Sequence, residues 1–151
     1  MKKYIVLLSA LVCTFALAGC NNKTVRIDFP FEVSDVTNIE MYHFTVPEDA
    51  EKKVIAEPGK IEHIYQTFES ISLKDKAAEP AAGSSVTSFR FHLSDGTSYE
   101  VIYSAVAVKS GRIITTDMEK DFFTSADIGG IWANAYDYTA VPAEESKLPQ
   151  L

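Results

Sequence analysis

Ser88-Phe89-Arg90-Phe91-His92-Leu93-Ser94-Asp95-Gly96-Thr97-Ser98-Tyr99-Glu100-Val101-Ile102-Tyr103 is the stretch that decides the fold. Phe89, Phe91 and Leu93 alternate with Arg90 and His92, the period of a strand with one buried face. Ser94-Asp95-Gly96-Thr97 has the composition of a tight hairpin turn. Tyr99 to Val108 then returns as a long strand rich in Tyr, Val and Ile. Ser110-Gly111 reads as the next turn, and Arg112 to Thr116 as one more strand. Three strands joined by short turns are antiparallel.

Working upstream, Lys74 to Ser85 is polar and contains Ala, Gly, Ser and Pro, so it reads as a long loop. Before it, Ile61, Ile64, Tyr65, Phe68 and Ile71 fall on one stripe of a helix, and Glu62, His63, Gln66 and Glu69 fall off it. Pro58 suits the first turn of that helix. Lys52 to Ala56 is a short strand, expected to pair in a hairpin with Ile39 to Val46, and Pro47-Glu48-Asp49 forms the turn between them. Val25, Ile27, Phe29, Phe31 and Val33 alternate with polar residues and Pro30, which predicts a half-buried edge strand or a broken one.

Downstream, Phe122-Phe123 opens a last block. Ser125 or Asp127 can cap a helix with the stripe Ile128, Ile131, Trp132, Ala135 and Tyr136. Gly129 and Gly130 weaken that helix by about 1 kcal/mol each, so strand or irregular structure is an alternative for 128–136. Runs of strands flanking a helix, rather than alternating with helices, give an α+β class. The expected order is strand-strand-strand-helix-β-meander. One main amphipathic helix backs an antiparallel sheet, and a short C-terminal helix is possible.

The N-terminal stretch is of a different kind. Met1-Lys2-Lys3 is positive, Tyr4 to Ala18 is almost wholly apolar, and Leu17-Ala18-Gly19-Cys20 follows. The apolar run is short of the roughly 20 residues that span a bilayer and has the form of an export signal. The four residues closing it resemble the bacterial lipobox. That resemblance implies cleavage between Gly19 and Cys20, a diacylglyceryl thioether on Cys20, and a protein held on the extracytoplasmic face of the cell membrane. An ordinary signal peptide cut after Ala16-Leu17-Ala18 is the alternative. The division is then leader 1–19, lipidated N-terminus and short tether 20–24, one domain 25–138, and a fraying tail 139–151. Val54-Ile55, Ile61 to Phe68 and Phe89 to Tyr103 together are similar to small domains of Gram-positive lipoproteins with no assigned activity. This second resemblance implies a fold and a location, and no chemistry.

Composition narrows the partners. The chain carries a net charge of -7, and losing Lys2 and Lys3 with the leader makes the mature protein two units more acidic. Nucleic acid is excluded as a partner on that ground. Of the two cysteines, Cys13 lies in the leader and Cys20 is the lipidation residue, so the exported domain has no disulfide. His43, His63 and His92 fall on three different elements without ligand spacing. Glu48, Asp49 and Glu51, and likewise Asp117, Glu119 and Asp121, read as solvated turns rather than calcium loops. Neither a metal nor any other cofactor is expected. There is no Gly-x-Ser-x-Gly elbow, free cysteine or glycine-rich phosphate loop, so the chain reads as a non-enzyme.

Trp132, Tyr136 and Tyr138, with Phe122 and Phe123, form the densest aromatic block. Such residues either complete a core or stack on sugars and peptides. The first role is expected for Trp132 and Tyr136, and Tyr138 is the expected exposed member. The functional expectation is a membrane-anchored binding domain for a protein, peptide or cell-wall ligand. Its rivals are an accessory subunit of a membrane complex and, more remotely, a small hydrolase or metal-binding protein.

Overall fold

The computed structural model describes residues 24–150. The leader, Gly19 and Cys20 lie outside them. The chain is α+β: among the described residues a nine-stranded, fully antiparallel sheet goes with one long α-helix and one short one. In chain order the elements are β1 (Thr24–Val25), β2 (Val36–Phe44), β3 (Glu51–Ile55), α1 (Pro58–Ser70) and β4 (Leu73–Lys74). There follow β5 (Val86–Leu93), β6 (Ser98–Ala107), β7 (Ser110–Thr115), β8 (Phe122–Thr124), α2 (Gly129–Asn134) and β9 (Val141–Pro142). Across the sheet the strands run β1-β4-β8-β7-β6-β5-β2-β3-β9.

The deciding hairpin forms in the expected register, with Phe89 opposite Val101 and Phe91 opposite Tyr99. Its turn closes with Gly96 N–H donating to the Leu93 carbonyl at 3.0 Å and Leu93 N–H donating to the Thr97 carbonyl at 2.9 Å. Gly96 takes φ +87°, the left-handed region that a glycine enters without Cβ strain. The Asp95 carboxylate accepts from the Thr97 amide and hydroxyl and so locks the loop. The following turn differs from the expectation. Ser110 and Gly111 belong to β7, and the chain reverses one step earlier, at Val108 and Lys109. Gly111 pairs with Ala105, and a Cβ there would collide with the Tyr103 ring and the Ser104 carbonyl oxygen.

One face of the sheet carries the main core. Ile39, Met41, Ile55, Phe89, Phe91, Val101 and Ile113 point to it, and Ile61, Ile64, Tyr65 and Phe68 of α1 close it from above. Phe68 meets Phe89 edge-on at 4.9 Å, and Phe29 stacks on Tyr65 at 4.6 Å. Burying each such side chain is worth about 1.5–3 kcal/mol.

The predicted strand over Val25 to Val33 is only partly a strand. Ile27 and Phe29 are buried and their neighbours exposed, so the period of two is real. Yet only Thr24 and Val25 are paired, and they pair with β4 at the far edge, away from the β2-β3 hairpin. Pro30 offers no amide to a ladder. The segment instead passes over the core face, where Phe29 and Phe31 pack against Tyr65, Phe91 and Tyr99.

The tail beyond Tyr138, expected to fray, is also placed differently. Val141 and Pro142 pair with β3, and Ala143 N–H donates to the Ala50 carbonyl at 2.8 Å. The chain then crosses the second face of the sheet. There Leu148 is buried with Tyr42, Phe44, Val86 and Ile102 in a smaller apolar cluster. The folded unit therefore runs to the end of the described residues rather than stopping at 138. The second face carries exposed-looking charges in the sequence, and this strap is what covers them.

Candidate ligand-binding groove

The groove lies on the core side, between α1 and α2. Short as it is, α2 is fixed at both ends. The Asp127 carboxylate accepts the Gly130 amide at 3.0 Å, as a helix cap does. A Cβ on Gly130 would press on that carboxylate, which explains a glycine that propensity disfavours. At the other end the Lys53 ammonium donates to the carbonyl oxygens of Trp132 at 3.0 Å and Ala135 at 2.8 Å. These are terminal carbonyls of the helix, where its dipole is negative. Lys53 is only 8% exposed. It reaches this place because β3 turns Lys53 and Ile55 to the core face and Lys52 and Val54 to the other.

Trp132 is buried between two side chains. The Lys53 ammonium lies 4.5 Å from its ring centre, and the His43 imidazole stacks on it at 5.4 Å with 19° between planes. His43 Nδ1 is hydrogen-bonded to the buried Thr87 hydroxyl at 2.9 Å. Burial pushes the His43 pKa below its ordinary 6.5, and Lys53 adds to this against an opposing pull from Glu51.

Above this base, α1 and α2 leave a groove of about 300 Å³. Ile55, Ile64, Ile131 and Ala135 form its apolar floor, and Lys60, His63, Asn134, Asp137 and Tyr138 form its rim. Lys60, His63, Asn134 and Asp137 have no side-chain hydrogen bond or ion pair among the described residues. Tyr138 donates to Glu57 at 3.2 Å. An apolar floor with a few converging polar groups is the general anatomy of a small-ligand site. The volume fits one apolar side chain or a group of similar size. Lys60 on one side and Asp137 on the other suit an occupant with both a negative and a positive end.

The three predicted aromatics are separated by the fold. Tyr138 lines the groove, Trp132 lies beneath its wall, and Tyr136 is on neither surface of it. The exposed member is Tyr136, at 81%, and not Tyr138, which is half-buried. The reason is the helix length. α2 ends at Asn134, so Tyr136 lies beyond the last turn and leaves the stripe that Ile128, Trp132 and Ala135 share. Lys53, Lys60 and Asn134 carry no sequence signal of a site, and His63 reads there only as a solvated histidine on the polar face of α1. What the sequence does carry for Lys53 is its parity with Ile55 along β3.

The second face holds a polar network under the strap. Glu40 accepts from Tyr42 at 2.8 Å and from Lys52 at 2.9 Å, and pairs with His92 at 3.0 Å. Arg90 donates to Tyr42, to Glu100 and to the Lys147 carbonyl. Burial pushes the Glu40 carboxyl upward, but the hydrogen bonds from Lys52, His92 and Tyr42 and the Lys52 charge outweigh it and hold the pKa at about 2. The cleft between strap and network measures about 420 Å³. Its polar groups already satisfy one another, so it reads as the seat of the strap.

The three histidines stay apart: His43 under α2, His63 on the groove rim, His92 on the second face. Asp117 accepts from Tyr99 and Thr115, and Asp121 binds Arg112. No group of three His, Cys, Asp or Glu side chains converges as a metal site would among the described residues. No helix among them is long and apolar enough to cross a membrane. No family model matches this chain, and neither a curated protein nor a solved structure does.

Proposed function

We propose that this chain is a bacterial lipoprotein, anchored through Cys20 on the extracytoplasmic face of the cell membrane, whose one α+β domain binds a peptide, protein or cell-wall ligand without catalysis. The observation that carries the binding reading is the groove between α1 and α2, with its apolar floor and a rim on which Lys60, His63, Asn134 and Asp137 have no side-chain partner among the described residues. Location rests on the lipobox-like Leu17-Ala18-Gly19-Cys20. Two acyl chains on such a residue hold a protein stably, at about 0.8 kcal/mol for each buried methylene.

The test is a titration followed on the methyl resonances of Ile64 and Ile131, with soluble wall-derived muropeptides and short apolar peptides as probes. Binding perturbs those methyls, and Ile131→Glu abolishes the effect while the dispersed core resonances of Phe89 and Val101 persist. Perturbation centred elsewhere, or none from either probe class, counts against the groove.

A second reading is favoured by the sheet edge. β9 pairs only with Glu51 and Lys52, so the outer edge of Lys53 to Ile55 carries no strand among the described residues. An accessory subunit of a membrane complex can dock there by strand addition.

A further inference from the structure

The lipid-anchor reading fixes one end of the tether, and the fold fixes the other. Thr24 is the first residue of β1, and β1 is the outermost strand of the sheet. Four residue steps from Cys20 reach at most about 14 Å. The β1 edge therefore cannot leave the neighbourhood of the bilayer. The opposite edge, β9, is eight strand spacings away, at most roughly 38 Å.

The two edges differ in chemistry. In the cross-strand row at the β1 edge, Thr24 faces Lys74, Lys74 faces Phe123, and Phe123 faces Arg112. The Lys76 ammonium lies 4.6 Å from the Phe123 ring centre, and Lys120 lies 5.4 Å from that of Phe122. Asp75 and Asp121 are neutralised by Lys120 and Arg112. Arg26, Lys74, Lys76 and the tether's Lys23 balance the remaining Asp28, Glu79, Asp117 and Glu119. At the other edge Glu48, Asp49, Glu51, Glu144 and Glu145 are exposed, with no ion pair among the described residues; of the lysines near them, Lys52 is taken up by Glu40, Lys53 is buried against helix carbonyls, and Lys147 remains. An anionic bilayer repels that edge and tolerates the first. Lysine stems and aromatic rings together suit the headgroup layer.

We propose that the β1-β4-β8 edge is a membrane-apposed face, so that the sheet stands edge-on upon an anionic bilayer with β3 and β9 outermost. The occupant of this face is the lipid headgroup layer itself. The proposal rests on the anchor reading, and it adds an orientation to it. It leaves the α1-α2 groove and the open edge of β3 accessible to partners arriving from outside.

The mature chain has no cysteine besides Cys20, so single labels are clean. Glu119→Cys places a fluorophore beside the β1-β4-β8 edge, and Glu144→Cys places one at the other. Each full-length lipoprotein is purified from membranes, checked by intact mass, and reconstituted in phosphatidylcholine–phosphatidylglycerol vesicles with a headgroup-attached quencher. The Glu119 probe is expected to be quenched several-fold more than the Glu144 probe. Lys74→Glu with Lys76→Glu is expected to bring that ratio toward one. Equal quenching of the two probes on a lipidated chain overturns the face and leaves the anchor standing. An unchanged ratio in the double variant overturns the assignment to this row of lysines. Protein that lacks the diacylglyceryl mass overturns both readings.

Discussion

The buried Lys53 ammonium donates to the carbonyl oxygens of Trp132 and Ala135 and lies over the Trp132 ring, so a strand residue pins the C-terminus of a six-residue helix. No carboxylate pairs with it among the described residues. The helix's own terminal carbonyls serve instead, and the helix wall of the groove depends on that contact.

Lys53→Ala takes the ammonium from two carbonyls, which keep only the Ala135 and Tyr138 amides as donors, and opens a void beside Trp132. Hydrogen bonds to charged groups contribute about 1.5–3 kcal/mol, so a loss of about 2–3 kcal/mol is expected in urea unfolding. Lys53→Met refills the space but not the hydrogen bonds. It is expected to restore part of the global stability while the Ala135 amide, bonded to the Trp132 carbonyl, exchanges faster than in the wild type. Equal exchange in Lys53→Met and wild type would show that the pin is dispensable.

Acid should act through two groups. Glu40 has a folded pKa of about 2 against an ordinary 4.5. Its contribution is therefore complete above pH 4.5 and is lost as pH falls from there toward 2. His43 is also depressed, below 6.5, by burial first. The unfolded chain takes up that proton before the folded one, so stability falls as pH drops below 6.5. Tm measured across pH should decline in both ranges. Glu40→Gln flattens only the lower decline. His43→Phe combined with Thr87→Val, which retires both partners of their hydrogen bond, flattens only the upper.

Gly111→Ala tests the close approach of β7 to β6. The new methyl meets the Tyr103 ring and the fixed Ser104 carbonyl, and a backbone atom cannot rotate away. Overpacking of this kind costs about 1–3 kcal/mol, and the upper half of that range is expected in chemical denaturation. Gly59→Ala is the control, since nothing lies within 4 Å of its added Cβ.

Leu148→Ala tests whether the strap belongs to the fold. A buried leucine truncated to alanine costs about 2–5 kcal/mol, and a loss near the lower bound is expected because this cluster is small. Arg90 should then lose its bond to the Lys147 carbonyl, which a rise in protease cutting after Lys147 would report. Unchanged stability would mean the tail frays as its composition suggests.

The central elements could be read from the sequence because each carries a repeating pattern. Phe89, Phe91 and Leu93 announce a strand, and Ile61, Ile64, Tyr65 and Phe68 announce a helix. What the pattern could not show was pairing over long distances. Val25 to Val33 alternates as a strand does, yet its partner is β4, on the far side of α1. β4, β8 and β9 are two or three residues long, too short for any period. The tail is polar and proline-bearing, and its pairing with β3 and its seat against Tyr42 and Ile102 order it.

The groove was less visible than the fold. Its floor was legible, since Ile64 and Ile131 lie on the predicted stripes. Its rim was not, because Lys60, His63 and Asn134 look like any solvated helix face until a second helix is placed beside them. Trp132, Tyr136 and Tyr138 read as one block in the sequence, but the fold separates them, and which of them meets solvent depends on where α2 stops.

The proposed anchor of this domain on a membrane is Cys20, and intact mass with detergent-phase partitioning of wild type beside Cys20→Ala tests it. The expected wild-type protein lacks residues 1–19, carries a diacylglyceryl mass on Cys20 and enters the detergent phase, and the expected variant carries no such mass and stays out of that phase. A wild-type protein with an unmodified Cys20, partitioning as the variant does, would contradict the anchor.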